Sequence, residues 1–508
     1  MRHLRDLRAY LDALDELGEL QHIDAEVSLD YELGAIVRRS YDLMAPAPLF
    51  TNLTGVEPGF RVLGAPAGVS AQPGLYLSRV ALSLGLPPRS SGSEIVAALV
   101  AARGAPPIPP RVVPDGPCKE VIALDDDIDL RRLPAPLLHG NDGGRFINTY
   151  GIVVARTPDG SWTNWSISRT QAMDARRMSS LVIPTQHLGV IRAMWRERGE
   201  DMPVAVAIGV EPVIPFVGGM PLPEGVSEAD FIGAYLGEPV DVVRCETVDL
   251  EVPATAEIVI EGTISMTETA SEGPMGEFAG FTYPGDSTRQ PIYHVSAFTH
   301  RRDPILPVVV AGHPVEENHT AWGIPNCAEV VYQLRRSGVP VTSAFMPLES
   351  GCQFLAITVP ADWRDALAQP SPAALMDRIA EVLWDPQAHT AYAIAKVMVT
   401  EDDIDPSNTR DVVWAFAAKN SPSDGVRFYE DRNMVPLPVF LPDADRRRFR
   451  TTKVIYNALM REDGHPESPA VRSTFDDDWP QEIQERVLAR WSSEYGYPAA
   501  RPEPAREA

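Results

Sequence analysis

The chain has 508 residues, 44% hydrophobic and 23% charged, the proportions of a globular protein long enough for roughly two to four domains. Its formal net charge of −25 excludes a general affinity for nucleic acid or an anionic membrane, and requires local cations wherever an anionic substrate binds. Four cysteines without CxxC pairing, a charged amphipathic start in place of a signal peptide, and no apolar run near the roughly 20 residues of a membrane span predict a reducing, cytoplasmic setting.

From the N-terminus, Leu4, Leu7, Leu11, Leu14 and Leu17 recur at three- and four-residue steps and predict a helix, with a second over Tyr31–Tyr41 and a third near Ser91–Arg103. The proline-rich stretch 104–110 predicts an extended linker and a domain boundary. Strand-like runs then dominate: Tyr150–Ala155, Val204–Val210, Val240–Cys245, Glu257–Ile264, Ile292–Thr299 and Ile305–Val310, with a helix over Gln186–Arg198 between them. This reads as a β-rich central domain, a barrel in form. After residue 320, helical segments (Ala328–Ser337, Pro372–Leu383, Gln481–Ser493) alternate with strands (Gln353–Val359, Ala393–Val399), as in an α/β domain. The tail 498–508 is rich in Ala, Pro, Arg and Glu and is expected to fray. Asp-Asp-Ile-Asp occurs at 126–129 and again at 402–405 and reads as an acidic loop or helix cap, not a metal site.

The most informative residues are Glu272-Gly273-Pro274-Met275-Gly276-Glu277. Pro274 lacks an N–H and the glycines tolerate unusual φ, so the two acids sit on a folded-back loop that can aim both into one cavity. Nearby carboxylates can be tuned apart in pKa, which suits proton transfer. A solvated acidic turn is the plain alternative. Asn164-Trp165-Ser166-Ile167-Ser168-Arg169 offers small side chains, approachable backbone N–H groups and a bidentate donor for phosphate or carboxylate; the alternative is a strand ending in a surface arginine. Pro184-Thr185-Gln186-His187 falls at a helix start suited to an anion or a metal-bound phosphate, against a structural histidine. Glu228 follows Ser227, a candidate N-cap, so it reads either as a helix-start carboxylate or as a ligand. Asn164, His187 and Glu228 together make a mixed O/N donor set for a hard or borderline divalent ion. Glu316-Glu317-Asn318-His319-Thr320-Ala321-Trp322 is a pocket rim or a loop. The chain lacks a Gly-x-Gly-x-x-Gly fingerprint, a P-loop and a Gly-x-Ser-x-Gly elbow where these would be needed, which disfavours hydride transfer on a Rossmann domain and serine hydrolysis.

Taken in order, these segments resemble the UbiD-type decarboxylases, which depend on prenylated flavin mononucleotide (prenylated FMN). The matching stretches are Asn164–Arg169, Gln186-His187, Met220–Glu228, Glu257–Glu277, Glu317–Thr320, Leu124–Leu137 and Glu401–Phe416, and the resemblance covers most of the chain. It implies an α/β (α+β) fold: an N-terminal α/β domain (1–117), a central flavin-reductase-like split β-barrel (118–320), a C-terminal α/β oligomerisation or lid domain (321–495) and a tail (496–508). It implies Mn²⁺ on Asn164, His187 and Glu228, tied to the cofactor phosphate, and K⁺ near Trp165, Met220 and Glu228. Ile167, Ser168 and Arg169 line the cofactor, Gln186 lies beside the flavin, and His389 points toward the phosphate. Arg169, Glu272 and Glu277 form a Glu-Arg-Glu triad in which Glu277 delivers a proton to the carbon that loses CO₂ and Glu272 pairs with Arg169. A homodimer or an assembly of dimers, and a flavin prenyltransferase as cofactor source, are implied as well.

Decarboxylation of an unsaturated acid leaves a carbanion, and the cofactor supplies the electron sink that no standard side chain offers. Asn318 as a partner for a ring N–H, with Trp322 and Met434 as apolar walls, tilts the expected substrate toward a heteroaromatic acid of the pyrrole- or indole-carboxylate kind. Aryl or alkyl acrylic acids are the alternative substrate class. A reductase using unmodified FMN is the alternative of another class, and an inactive scaffold of the same fold is the non-enzymatic one.

Overall fold

Leu7, Tyr10, Leu11 and Leu14 line one face of a helix spanning Leu7–Leu17 and are buried. The expected helix starts three residues later than the leucine pattern, because the Asp6 side chain accepts from the Ala9 N–H at 2.8 Å and caps it there. The structure is a computed structural model and describes residues 3–283, 285, 287–385, 390–461 and 472–497. The chain divides into two units, Met1–Ala458 and Leu459–Ala508.

In the first unit, the second and third expected helices form over Glu32–Asp42 and Gly92–Arg103, the latter with a reciprocal capping box between Ser91 and Glu94. Four short strands, Leu20–Ile23, Ala47–Phe50, Arg61–Gly64 and Ile305–Val308, form one sheet in that order. The last of these arrives from far along the chain and pairs in parallel, Ile305 opposite Arg61 and Val308 opposite Gly64. The proline-rich stretch ends in the strand Arg111–Val112, which pairs in parallel with Asp241–Arg244, and the Ile108 N–H donates to Asp230 O at 3.2 Å. The stretch is therefore extended as expected, yet it is bonded to the body on both counts.

A nine-stranded antiparallel sheet forms the centre. Eight strands follow one curled path: Phe146–Asn148, Thr170–Ala172, Arg177–Ser180, Thr288–His300, Ile258–Glu272, Met202–Ile208, Ile152–Arg156 and Thr163–Ser166; Val121–Leu124 pairs off this path with Thr288–His300. The long strand Ile258–Glu272 runs eight residues beyond the expected end at Ile264. Its extension is polar and largely exposed, so it lacks an apolar signature and is held by the ladder to 288–291 across a register shift. The short polar strands Thr163–Ser166, Thr170–Ala172 and Arg177–Ser180 gave no periodic signal either. One apolar cluster joins Leu33, Val37 and Phe50 to Val153, Val206, Ile260, Phe298 and Leu306, so the N-terminal elements and the central sheet share a core.

Beyond residue 320, helices Ile324–Arg336, Pro372–Leu383 and Thr409–Lys419 pack with a five-stranded sheet ordered Ser343–Phe345, Phe354–Val359, Lys396–Glu401, Arg450–Asn457 and Val426–Asn433. Its three central strands are parallel and its edges antiparallel. In the second unit, Thr474 caps a short helix over Phe475–Asp478, and the helix expected to Ser493 ends at Arg490. The expected frayed tail lies outside the described residues. Among the described residues no helix is long and apolar enough to cross a membrane.

Candidate active site

Arg169 follows the strand Thr163–Ser166 and is held from behind. The Ser180 hydroxyl donates to Arg169 O at 2.7 Å, and Asn148 Nδ2 donates to Ser168 O at 2.9 Å. From there the guanidinium forks. Nε and Nη2 donate to the two oxygens of Glu272 at 2.9 and 3.2 Å, and Nη1 donates to Glu277 Oε1 at 2.7 Å. Glu272 ends the long central strand and is 0% exposed, whereas the Glu277 side chain is 21% exposed. Gly273 turns the chain with a φ of 77°, and its N–H donates to Gln171 Oε1 at 3.0 Å. A Cβ on Gly143 would lie 1.9 Å from Gly273 O, so only glycine lets these two loops nest. Burial alone would lower the Arg169 pKa, but the charges of Glu277 and Glu272 and the bonds to both outweigh it and hold it above its ordinary value. The guanidinium is thus a permanent cation between two acids of unequal exposure.

Asn164 lies on the strand Thr163–Ser166, His187 starts the helix His187–Arg198, and Glu228 starts the helix Glu228–Leu236 after its N-cap Ser227. Asn164 Nδ2 donates to Glu228 Oε1 at 2.8 Å and lies 3.3 Å from His187 Nδ1, while the Trp165 N–H donates to Glu228 Oε2 at 2.8 Å. The Trp162 ring meets His187 edge-on at 4.8 Å. Burial pushes the Glu228 carboxyl up to about 8 against the bonds it receives. Asn164 Oδ1 is buried without a hydrogen-bond partner among the described residues. A buried amide oxygen of this kind costs free energy, and a divalent cation on oxygen and imidazole donors would satisfy it. The donor set therefore fits a hard or borderline divalent ion. Met220 and Trp165 are also buried; the Met220 carbonyl already accepts from the Leu222 N–H at 2.8 Å.

Beside this cluster, Ile183 to Gln186 are exposed, and no side-chain bond caps the helix that begins at His187. An uncapped helix start leaves N–H groups for an anion. Gly189 makes the arrangement possible, since a Cβ there would lie 2.2 Å from Ile183 O. Ile167, Ser168 and Arg169 are partly exposed, with the Ser168 hydroxyl bonded to Ser180 at 2.6 Å. The surface suits a flavin phosphate at the helix start. His389 lies outside the described residues.

The segment read as a rim or a loop is a π-helical turn, Asn318–Gly323, running into the helix Ile324–Arg336. His319 Nε2 bonds Phe278 O at 3.0 Å, and the Trp322 ring lies 5.4 Å from Phe278, so the turn abuts the residue after Glu277. Met434 is buried in a small cluster with Ala395 and Leu441. Sequence reasoning missed how deeply Glu316 and Glu317 are buried: both are near-fully enclosed, and burial pushes each carboxyl up to about 7. Glu317 takes the Tyr41 hydroxyl and the Ala67 N–H. The adjacent acids in an apolar context were the only signal available.

A carboxyl whose folded pKa is raised stabilises the fold fully below its unfolded value and loses that contribution as pH rises through the folded one. Glu317→Gln removes one such titration. The stability of the wild type relative to Glu317→Gln is therefore expected to fall as pH rises from about 5 to about 8. Paired thermal melts across that range check it, and a constant difference would refute it.

A carboxylate–guanidinium–carboxylate array a few residues from the Asn164, His187 and Glu228 cluster, carried on a curled antiparallel sheet, is the framework of a carboxy-lyase. Residues 11–99, 111–314 and 319–458 match the N-terminal, Rift-related and C-terminal domains of the 3-octaprenyl-4-hydroxybenzoate carboxy-lyase (UbiD) family. The chain is 41% identical over 497 residues to pyrrole-2-carboxylic acid decarboxylase of Pseudomonas aeruginosa, covering 98% of this chain and 99% of that one. It is 35% identical to ferulic acid decarboxylase 1 of Saccharomyces cerevisiae, covering 97% and 98%. Among solved structures, vanillic acid decarboxylase of Sedimentibacter hydroxybenzoicus in its open form superposes with a TM-score of 0.80 at 26% identity, covering 97% of this chain and 99% of that one. The UbiD-class enzyme HmfF of Pelotomaculum thermopropionicum in complex with FMN does so at 0.76 and 26%, covering 93% and 98%. An evolved dimeric form of HmfF, in complex with prenylated FMN, does so at 0.74 and 25%, covering 90% and 95%. The chain belongs to the UbiD family and is a decarboxylase.

Proposed function

We propose that the chain decarboxylates, reversibly, a heteroaromatic acid bearing a ring N–H, of the pyrrole- or indole-carboxylate kind, with prenylated FMN as cofactor. The observation that carries this reading is the Arg169 fork, which couples a buried carboxylate to one open to the site. The cofactor, when bound, supplies the electron sink. Arg169 pairs with Glu272 and orients Glu277. Glu277 gives its proton to the carbon from which CO₂ departs, so R–COO⁻ and H⁺ become R–H and CO₂. The carboxylate left behind is compensated by Arg169 and, being partly exposed, regains a proton from water.

Asn164, His187 and Glu228 would hold Mn²⁺ and through it the cofactor phosphate, and K⁺ would lie near Trp165, Met220 and Glu228. Ile167, Ser168 and Gln186 would line the flavin, and Asn318, Trp322 and Met434 the substrate pocket. The proposal includes a division at 117, 320 and 495, a homodimer or an assembly of dimers, a cytoplasmic location and cofactor supply by a flavin prenyltransferase. The 41% identity to a pyrrole-2-carboxylic acid decarboxylase supports the substrate class.

The test is to produce the protein alongside a flavin prenyltransferase, identify the released flavin by mass spectrometry, and screen pyrrole-, indole- and cinnamate-type acids. Prenylated FMN with turnover of N–H heteroaromatic acids is expected. Plain FMN reduced by NAD(P)H would favour a reductase, and consumption of acrylic acids alone would replace the substrate class. Asn318→Ala is expected to lower kcat/KM for the N–H acids about 10- to 100-fold, the loss of one buried hydrogen bond. Unchanged turnover would remove Asn318 from the pocket.

A further inference from the structure

We infer that Glu316 is a positioning residue that fixes the Asn318 side-chain amide with its oxygen toward the pocket, so that the site reads a hydrogen-bond donor on the substrate ring and rejects an acceptor. This rests on the proposed role of Asn318 and goes one step beyond it.

Glu316 is 0% exposed, and its carboxylate takes both nitrogens of Asn318. Oε2 accepts from the Asn318 backbone N–H at 2.8 Å and from Nδ2 at 3.0 Å, and Oε1 lies 3.2 Å from the same Nδ2. An amide has one donor end and one acceptor end, and which way it faces is decided by the hydrogen-bond network around it. Turning it over would lose both bonds from Nδ2, while the Asn318 N–H keeps Glu316 Oε2 where it is. With Nδ2 committed to Glu316, Oδ1 is the end that remains for a ligand.

The other polar groups nearby leave this arrangement to Asn318. His319 Nδ1 accepts from the Glu316 N–H at 3.0 Å, and its Nε2 donates to Phe278 O at 3.0 Å, so the ring is the neutral Nε2–H tautomer. Nδ1 therefore has no proton for the Glu316 oxygen 3.3 Å away. Tyr41 and Ala67 spend their donors on Glu317, and Arg38 Nη1 donates to Val310 O at 3.4 Å. The position of Asn318 suits a reader. Within the turn, His319, Thr320, Ala321 and Gly323 are buried, while Asn318 and Trp322, four residues apart and hence on one face, are partly exposed. Trp322 packs on Phe278, the neighbour of Glu277. The free amide oxygen thus belongs to the face that meets the loop of the proton donor.

A ring N–H, as in pyrrole or indole, completes this oxygen. A ring oxygen, as in furan, meets it acceptor to acceptor. The two acids differ little in size, so the difference in their kcat/KM reports the amide's orientation.

The experiment uses the flavin-loaded enzyme and measures kcat and KM for pyrrole-2-carboxylate and furan-2-carboxylate in the wild type, Glu316→Gln, Asn318→Ala and the double variant. Flavin absorbance and melting temperature check that each variant is folded and loaded. The wild type is expected to prefer the pyrrole acid by at least about tenfold. Glu316→Gln, whose neutral amide can meet either end of Asn318, is expected to cut that preference about tenfold, mainly through KM for the pyrrole acid. The double variant should match Asn318→Ala alone, because Glu316 acts through Asn318. A full preference kept in Glu316→Gln, or a double variant showing the product of the two effects, overturns the role of Glu316 while the reading of Asn318 stands. A wild type with no preference overturns both. If Glu316→Gln does not fold, Glu316→Asp replaces it: its carboxylate is one methylene short of Nδ2, and the preference should fall toward that of Asn318→Ala, while a wild-type preference overturns the proposal.

Discussion

Glu277→Gln should lower kcat by about 10²–10⁴-fold, the usual worth of a positioned general acid. The reason is chemical. Glutamine keeps the shape of Glu277 and can still accept from Arg169 Nη1 through its amide oxygen, in place of the 2.7 Å bond seen here. It cannot hold a transferable proton. Because the side chain is 21% exposed and sits on a loop, the exchange removes no packing, so melting temperature and flavin content should stay near those of the wild type. Initial rates of product formation, read beside a flavin spectrum, make the measurement. A loss below tenfold in a fully loaded protein would take the proton donor's role away from Glu277.

Arg169→Met should abolish most of the activity and also weaken the fold, which separates it from the first variant. Glu272 is 0% exposed and takes two bonds from this guanidinium at 2.9 and 3.2 Å. Removing the cation strands a buried carboxylate, at a cost of about 3–5 kcal/mol. Activity should fall at least about 10²–10³-fold, because Glu277 loses both its orientation and the charge that compensates its carboxylate. Adding Glu272→Gln to Arg169→Met should restore much of the stability and none of the activity, since the two residues are in contact and their effects do not add. Thermal melts and rates on the two single variants and the double close the cycle. A single variant as stable as the wild type would show that the Arg169–Glu272 pair does not hold this part of the fold.

Much of this protein could be read from its residues in order. The leucine spacing of 7–17, the helical segment near Ser91–Arg103 and the proline-rich stretch each act over a few residues, so local chemistry suffices to read them. The ordered motifs from Asn164 to Glu277 pointed to a decarboxylase family, and Arg169, Glu272 and Glu277 among them meet in one hydrogen-bonded fork. Other features depend on partners far away in the chain. Thr269 to Glu272 continue a strand only because residues 288–291 lie beside them, and Ile305–Val308 joins the N-terminal sheet only because Arg61–Gly64 leaves an edge open to it. The Arg169 fork spans 103 and 108 residues, and no periodicity foretells which carboxylate it buries and which it leaves open. Glu316 and Glu317 look alike as neighbours in sequence. Tertiary packing sends one to Asn318 and the other to Tyr41 and Ala67, because successive side chains point different ways and meet different surfaces. The sequence by itself thus determined the elements and the chemical kinds present, which are local properties. Only the tertiary structure decided exposure, pairing and orientation, because these are set by whatever surface each side chain meets.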